Sequence, residues 1–372
     1  MQSEQHVRRL VRQLDLPNQA DQVIQRSKYW SPAFCWLYFA KCDELIFDDG
    51  HAGLQAAEVG PELVALTGRF CRDPAPRSPL RLRALAVLGS AYRAIGDFDE
   101  SELVYQQAFR IAVEEPISAQ DRANLLFRVA ALRCVQGRLE EAFDLANESV
   151  RAYRLSSDAV KRRHLGEALI IRGYLQRLAN NYASAMKDWS EALSCTDPKK
   201  DPRIHHCASH NLACGLVENP VDPGSLSRIG SHLKQARRFL SKRPRSLQNF
   251  RLIWLQGMIL IRFGSTRRGE AAFETARRGF IEMRAPFEMA MLSLYLGRYL
   301  YRSGQFGELR SLAVETAQIF STLCADRLAN QALALWRDRI TADAASAGIF
   351  SAAWQSIRGR MSTIAASGLR VV

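Results

Sequence analysis

The chain has 372 residues, of which 47% are apolar and 24% are charged, and its formal net charge at pH 7 is +13. This composition is ordinary for a folded protein and excludes a largely disordered chain. There is no run of 18 apolar residues, and residues 1–16 are polar and charged, so we expect neither a membrane-spanning helix nor a secretory signal.

Residues 1–72 predict a group of N-terminal helices. We expect one helix over residues 1–30, interrupted near Pro17. Ser31 followed by Pro32 is typical of a helix start, and the run that follows to Ile46 is apolar nearly all round. Such a helix is buried or covered by a partner. A further helix is expected over residues 53–70, and residues 73–79 are a proline-rich linker.

Residues 80–340 repeat one frame of small and aromatic positions. The first copy has Gly89, Tyr92 and Tyr105, and the third has Gly173 and Trp189. The frame predicts helix pairs at 81–94 and 98–114, 120–136 and 139–155, 161–179 and 182–195, 246–263 and 267–283, and 286–303 and 306–323, with an irregular copy at 203–242. We expect residues 326–341 to close the array and residues 341–372 to form a capping helix or tail. Self-similarity of this length predicts stacked helix pairs with one continuous core.

These positions resemble the tetratricopeptide repeat (TPR), which places small residues and aromatics at the same offsets. The turn positions Gly96, Gly137 and Asn180 lie 41 and 43 residues apart, whereas the basic TPR period is 34. The longer period is similar to that of bacterial regulatory and scaffold proteins of the family. The resemblance implies an all-α, right-handed α-solenoid of TPR-like helix hairpins. In this register the aromatic residues expected to pack inside the repeats are Trp36, Phe39, Tyr92, Tyr105, Trp189 and Phe273.

The sequence contains no pattern typical of a catalytic or cofactor site. A nucleophile elbow, a P-loop and a dinucleotide fingerprint are all lacking. The densest group of possible metal ligands is His206, Cys207, His210 and Cys214. The two histidines share one face of a helix and the two cysteines share another, so the group does not supply the three or four converging ligands of a zinc site. We therefore predict no enzyme activity, no cofactor and no metal. Eight cysteines without a CxxC pair indicate reduced thiols in a cytoplasmic protein.

The resemblance also implies that one face of the first helix in each repeat lines a concave groove. Arginine and aromatic residues recur there, and both are frequent anchors of protein interfaces. We expect a non-catalytic scaffold or receptor that binds an acidic or amphipathic peptide or protein segment in a basic, aromatic-lined groove, with no membrane partner. The candidate partner-binding residues are Arg83, Arg93, Asn124, Tyr174, Arg177, Arg251, Trp254, Arg262, Arg298, Tyr301 and Arg302.

The charge distribution leaves a second function open. Residues 150–284 hold 25 Lys and Arg against 11 Asp and Glu, while the rest of the chain is nearly neutral. Clustered cations on one edge are what phosphate binding requires. The alternative is a nucleic-acid-associated regulator whose candidate phosphate contacts are Lys161, Arg162, Arg163, Lys199, Lys200, Arg203, Lys242, Arg243 and Arg245.

Overall fold

The computed structural model describes residues 4–16, 18–70, 77–155, 159–219, 224–241, 243–304, 306–323 and 329, and this part of the chain contains helices and no strand. The helices are α1 (Glu4–Gln13), α2 (Ala20–Gln25), α3 (Pro32–Asp48), α4 (Gly50–Glu58), α5 (Gly60–Phe70), α6 (Arg77–Ile95), α7 (Phe98–Glu114), α8 (Ala119–Val135), α9 (Leu139–Arg154), α10 (Ala159–Leu178), α11 (Tyr182–Ser194), α12 (Pro202–Glu218), α13 (Ser225–Leu240), α14 (Leu247–Arg262), α15 (Thr266–Glu282), α16 (Pro286–Ser303) and α17 (Phe306–Thr322). A short 3₁₀ turn covers Ser27–Tyr29. From α6 onward the helices form consecutive hairpins of an all-α solenoid, as the repeat predicted.

The hairpin turns fall at the positions that the repeat frame predicted. Gly96, Gly137, Gly264 and Gly304 have φ between 75° and 89°, and Asn180 has φ 59°. A helix commonly ends on one residue in this left-handed region, where glycine has no steric penalty and asparagine is tolerated. The recurring Gly or Asn therefore ends the first helix of each of these hairpins and reverses the chain.

Close helix contact inside the hairpins explains the small residue of the repeat frame. A Cβ at Gly173 would lie 2.5 Å from Nε1 of Trp189, and a Cβ at Gly257 would lie 2.5 Å from the ring of Phe273. Each glycine thus leaves room for the aromatic ring of the second helix in its own hairpin. The Trp189 side chain is fully buried, and its Nε1 donates to the Ile170 carbonyl oxygen at 3.2 Å.

The N-terminal helices differ from the prediction in two places. The helix expected over residues 1–30 is divided into α1, α2 and the 3₁₀ turn, and the helix expected over 53–70 is two helices that meet at Val59 and Gly60. The start of α3 is as predicted: the Ser31 hydroxyl accepts a hydrogen bond from the Phe34 amide, and Pro32 is the first helical residue.

Four of the six aromatics predicted to pack in the core are buried, namely Phe39, Tyr105, Trp189 and Phe273. Tyr92 is half-buried against the N-terminal core. The prediction was wrong for Trp36, whose side chain is 37% exposed. The helix α3 buries Phe34, Cys35, Tyr38, Phe39 and Cys42, but Trp36 lies on the side that faces an open cavity.

The chain divides into two compact units, one of residues 1–134 and 138–279 and the other of residues 135–137 and 280–372. The second unit contains α16 and α17, which pack through Leu300, Leu309 and Ala313. Residues 330–372, including the predicted capping helix or tail at 341–372, lie outside the described residues. No described helix is long and apolar enough to cross a membrane.

Candidate functional site

Asp43 is the centre of a buried ionic cluster in the first unit. It lies on the buried side of α3 and accepts hydrogen bonds from Arg83 of α6, at 2.5 Å, and from Arg128 of α8, at 3.0 and 2.9 Å. Arg128 also donates to the Ser90 hydroxyl at 2.8 Å. Burial alone would raise the pKa of Asp43, but Arg128 and Arg83 outweigh burial and hold this pKa well below its usual range. The cluster is therefore charged at neutral pH.

Glu167 of α10 forms a second buried cluster beside the first. Its carboxylate accepts hydrogen bonds from Arg203 of α12 and pairs with His164, whose Nδ1 lies 2.9 Å from Oε2. Burial opposes its ionisation, but Arg203 and His164 lower the pKa of Glu167 well below the ordinary value. The first cluster joins α3, α6 and α8 through charged hydrogen bonds, and the second joins α10 and α12.

A cavity of about 190 Å³ lies between α3, α6, α8, α9 and α10. Trp36 contributes an exposed aromatic surface, and Asp43, Arg83 and Glu167 contribute the edges of the ionic clusters. The remaining polar side chains that line it include Gln120, Asp121, Asn124, Tyr153, Arg163 and His164. The cavity thus combines one large apolar surface with hydrogen-bonding groups of both signs, which is the composition of many binding sites.

Asn124 has a fixed orientation at the wall of the cavity. Its Oδ1 accepts from Nη1 of Arg83 at 2.9 Å and from Nε of Arg128 at 3.0 Å. The amide nitrogen is therefore the group left to donate, and it lies beside the Tyr153 hydroxyl, whose pKa is raised mainly by burial and lowered in part by this neighbour. Gln120 lies one turn before Asn124 on α8 and also lines the cavity. Two amide side chains are thus presented in a row.

Some of the residues predicted to line the groove lie together at this cavity, and others lie together on α10. Arg83 and Asn124 line the cavity. Tyr174 and Arg177 lie together on α10, with the guanidinium 4.8 Å from the ring centroid, and Arg177 pairs with Glu218 at 2.7 Å. Arg251 of α14 lies near this pair, since Arg251 and Arg177 both lower the pKa of His210.

The other residues predicted to line the groove are described by their exposure. Arg93 and Trp254 are half-buried, on α6 and α14 respectively, and Arg262 is exposed at the end of α14. The side chains of Arg298, Tyr301 and Arg302 lie outside the described residues. The groove is also less basic than the sequence indicated, because Arg83 and Arg177 are neutralised by Asp43 and Glu218.

The residues predicted as phosphate contacts divide into cations that pair with a carboxylate and cations that are exposed. Arg163 pairs with Asp201 at 3.5 Å, Arg203 pairs with Glu167, and Arg243 pairs with Asp48 at 3.1 Å. The side chains of Lys161 and Lys242 lie outside the described residues. The exposed cations that remain are Arg162, Lys199, Lys200 and Arg245.

His206 of α12 is buried, and His210 is half-buried beside it, with ring centroids 6.0 Å apart. His206 stacks on Phe239 with ring centroids 4.8 Å apart and lies edge-on to Phe47 at 6.2 Å, and neither of its ring nitrogens has a hydrogen-bond partner. Burial and the nearby Arg251 lower the pKa of His206 to about 4. Within the described ranges, no three His, Cys, Asp or Glu side chains are placed to hold a metal ion.

Of the cavity residues, the sets predicted from the sequence contain Arg83, Asn124 and Arg163, and two important residues that they missed are Trp36 and Asp43. Both lie on α3, where the apolar run concealed them. A carboxylate at an inward-facing position of such a run, as Asp43 is, was a usable signal, since a buried charge requires partners. The arginines Arg83 and Arg128, which supply those partners 40 and 85 positions later in the chain, could not be matched to it from spacing alone.

No protein-family model matches the chain, and none of the curated proteins matches it. Solved structures do. A Rap protein in complex with competence and sporulation factor is 11% identical, with a TM-score of 0.60 over 88% of this chain and 87% of that one. The Rap conjugation gene regulator of plasmid pLS20, in complex with the Phr* peptide, is 10% identical, with a TM-score of 0.50 over 83% of this chain and 96% of that one. Because these similarities accompany the glycine–aromatic contacts and the left-handed turns of successive hairpins, the chain has the fold of tetratricopeptide-repeat proteins.

Proposed function

We propose that this chain is a non-catalytic interaction protein that binds a peptide or an extended protein segment in the cavity on α3, α6, α8 and α10. The observation that carries the proposal is the exposure of Trp36 beside a row of polar side chains in a cavity of about 190 Å³. A tryptophan that is open to solvent on a helix whose other aromatic side chains are buried or half-buried is a ready anchor for an apolar side chain.

The polar wall suits the backbone of an extended peptide. The Gln120 amide offers the same donor and acceptor pair as a peptide unit, and the Asn124 amide adds a donor, because its Oδ1 is already bound by Arg83 and Arg128. Asn124 is held in one orientation by Arg83 and Arg128, so its donor is preorganised. An amphipathic segment would place an apolar side chain on Trp36 and its backbone along α8.

The charge of the cavity bears on the ligand. Arg83 and Arg203 are committed to Asp43 and Glu167, so they offer little free positive charge to an acidic ligand. Of the two kinds of ligand that the sequence predicts, an acidic segment and an amphipathic segment, this pairing favours the amphipathic one. The solved Rap structures in this fold contain competence and sporulation factor and the Phr* peptide, which makes peptide binding by this chain a reasonable extension.

The proposed binding surface extends beyond the cavity to the remaining groove residues of the first unit, Arg93, Tyr174, Arg177, Arg251, Trp254 and Arg262. These residues are the expected contacts for a segment longer than the cavity can enclose. Arg298, Tyr301 and Arg302 stay predictions of the repeat register.

The proposal is tested by selecting peptides from a random display library on the immobilised full chain and measuring their affinity by fluorescence anisotropy. Trp36→Ala removes the aromatic surface and is expected to weaken the selected peptides at least tenfold, or about 1.4 kcal/mol. Gln120→Ala removes one amide of the wall and is expected to weaken them less, since one neutral hydrogen bond contributes about 1 kcal/mol.

Phe70→Ala is the matched control. Phe70 is also an exposed aromatic of the first unit, with 64% of its surface accessible, and it lies at the end of α5, away from the cavity lining and from the other proposed contacts. Its loss is expected to leave the affinity unchanged. Equal affinity of wild type and Trp36→Ala for every selected peptide would place the binding site elsewhere.

A further inference from the structure

The outer surface of α13 is unusually basic and lacks any acidic residue. Among the described side chains of this helix, those that are exposed are Ser227, Arg228, Gly230, Ser231, Lys234, Gln235, Arg237 and Arg238. Lys234, Arg237 and Arg238 form no ion pair within the described part of the chain. The neighbouring outer helix α15 is different, because its Arg277 and Arg278 both bind Glu274, at 3.2 and 2.9 Å. The charges of Lys234, Arg237 and Arg238 are therefore left without a carboxylate partner among the described residues.

The exposed residues of α13 form one continuous stripe. Ser227, Ser231, Lys234 and Arg238 follow one another at intervals of four, three and four residues, which places them on one side of a helix. Gly230 lies within the same stripe, and a Cβ at this position would meet nothing within 4 Å. The stripe is thus a smooth surface of small residues and hydroxyls that leads to a group of cations.

The basic stripe continues onto the end of its own hairpin. The helices α12 and α13 are antiparallel, so Lys199 and Lys200, just before α12, lie at the same end of the hairpin as Arg245, just after α13. The Asp197 carboxylate accepts hydrogen bonds from the backbone amides of Lys199 and Lys200, at 2.7 and 3.1 Å, and this turn leaves both lysine side chains exposed. We refer to Lys199, Lys200, Lys234, Arg237, Arg238 and Arg245 as the basic face.

We propose that the basic face binds the phosphodiester backbone of duplex DNA without reading its sequence. Cations supplemented by serine hydroxyls are the groups that contact phosphate oxygens in such complexes. A surface of this kind positions a duplex but does not reach base edges, so it confers no sequence preference.

The described exposed residues of α13 include no apolar or aromatic side chain, which argues against a membrane, a protein or a single-stranded nucleic acid as the partner. A helix that lies on a membrane needs a large apolar side, and the described exposed residues of α13 include no apolar side chain. A protein interface needs an aromatic or aliphatic anchor at its centre, and the same residues supply none. Proteins that hold single strands stack bases on aromatic rings, which are also lacking among these residues. A duplex, whose bases are covered and whose phosphates are regularly exposed, is the polyanion that fits.

The test measures binding of the full chain to a fluorescein-labelled duplex DNA of mixed sequence across about 50 to 200 mM salt, by anisotropy. The test variant is Lys234→Gln/Arg237→Gln/Arg238→Gln. The matched control is Arg267→Gln/Arg268→Gln/Arg278→Gln, which removes the same three charges from exposed positions of α15. Circular dichroism and thermal melting establish that both variants fold as the wild type does.

The wild type is expected to bind with a dissociation constant of roughly 10⁻⁴ to 10⁻⁶ M that rises steeply with salt, and equally on unrelated sequences. The α13 variant is expected to bind at least about tenfold more weakly at the lowest salt, with a log–log salt slope reduced by about 2 to 3, while the α15 control keeps both values near those of the wild type. Equal losses in both variants would mean that only net charge matters and would overturn the proposal. Stronger binding to single-stranded DNA, or to phosphatidylserine vesicles in place of duplex DNA, would overturn it as well.

Discussion

Arg128 binds Asp43 through both of its terminal nitrogens across 85 positions of sequence, at 3.0 and 2.9 Å. The pair lies in the interior and joins α3, from the N-terminal helices, to α8 of the second hairpin. Arg83 completes the arrangement from α6 at 2.5 Å. The N-terminal helices are thus tied to the repeats by a buried ionic cluster as well as by the apolar core that they share with α6.

Removal of the Asp43 charge is expected to destabilise the fold strongly. Asp43→Asn leaves Arg83 and Arg128 buried without a counter-charge, and breaking a buried pair in this way costs about 3–5 kcal/mol. The free energy of unfolding, measured by urea titration with circular dichroism, should fall by this amount.

The control for this variant is a surface ion pair of similar length. Glu4 and Arg8 are both exposed on α1 and lie 2.6 Å apart. Glu4→Gln is expected to change stability by less than about 0.5 kcal/mol, since exposed pairs contribute little. Similar effects of the two substitutions would contradict the structural role assigned to the buried cluster.

The two tryptophans Trp189 and Trp36 should differ sharply in their contribution to stability. Trp189 is fully buried against Gly173, so Trp189→Ala is expected to cost about 3–5 kcal/mol. Trp36 is 37% exposed in the cavity, and Trp36→Ala should cost distinctly less stability while it weakens peptide binding at least about tenfold. Thermal melting of the two variants, beside wild type, measures the difference. A larger loss for Trp36→Ala would mean that it belongs to the core after all.

The contrast between these tryptophans shows what local sequence could predict. Trp189 repeats the spacing from Gly173 that Tyr105 has from Gly89, so its burial followed from the repeat frame. The left-handed turn residues followed in the same way, because each position requires glycine or asparagine for a local steric reason. The hairpin bounds were therefore predictable to within a few residues.

The site was less predictable because it depends on contacts between distant hairpins. Nothing within α3 distinguishes Trp36 from Phe39, since both belong to one apolar run, and only the position of α6, α8 and α10 leaves Trp36 open. The same holds for charge. Arg83 and Arg177 were read as free groove cations, whereas Asp43 and Glu218 neutralise them from 40 and 41 positions away.

Two glycines should respond in opposite directions to the same substitution. Gly264 has φ 87° and open space around it, so Gly264→Ala is expected to cost about 1 kcal/mol through its backbone conformation alone. Gly230 lies within the helix α13, also with open space, and Gly230→Ala is expected to stabilise the protein by up to about 1 kcal/mol. Urea titration of the two single variants measures both values. A stabilised Gly264→Ala variant would contradict the left-handed turn at that position.

The buried histidines predict a stability that falls in mild acid. Burial is the main cause that lowers the pKa of His206 to about 4 and that of His210 to about 3, and Arg251 adds to the effect on both. Because the unfolded chain titrates near 6.5, it takes up protons in the range from about pH 6.5 to pH 4 while the folded chain does not. Stability is therefore highest above about pH 6.5 and declines as the pH falls through this range, on the order of 3 kcal/mol for His206 alone.

His206→Gln tests this dependence directly, because glutamine keeps a polar side chain at the position but does not titrate. The free energy of unfolding of the variant should decline less than that of the wild type between about pH 7 and pH 4.5, a range that avoids the titration of most carboxylates. The protonated ring would also lie beside Arg251 and Arg243 and against the aromatic rings of Phe47 and Phe239, none of which offers it an anion. The difference between the free energies of unfolding of the wild type and the variant is therefore expected to be smaller at acidic pH than at neutral pH. Parallel curves would show that His206 is solvated in the native state and would contradict its burial between α3, α12 and α13.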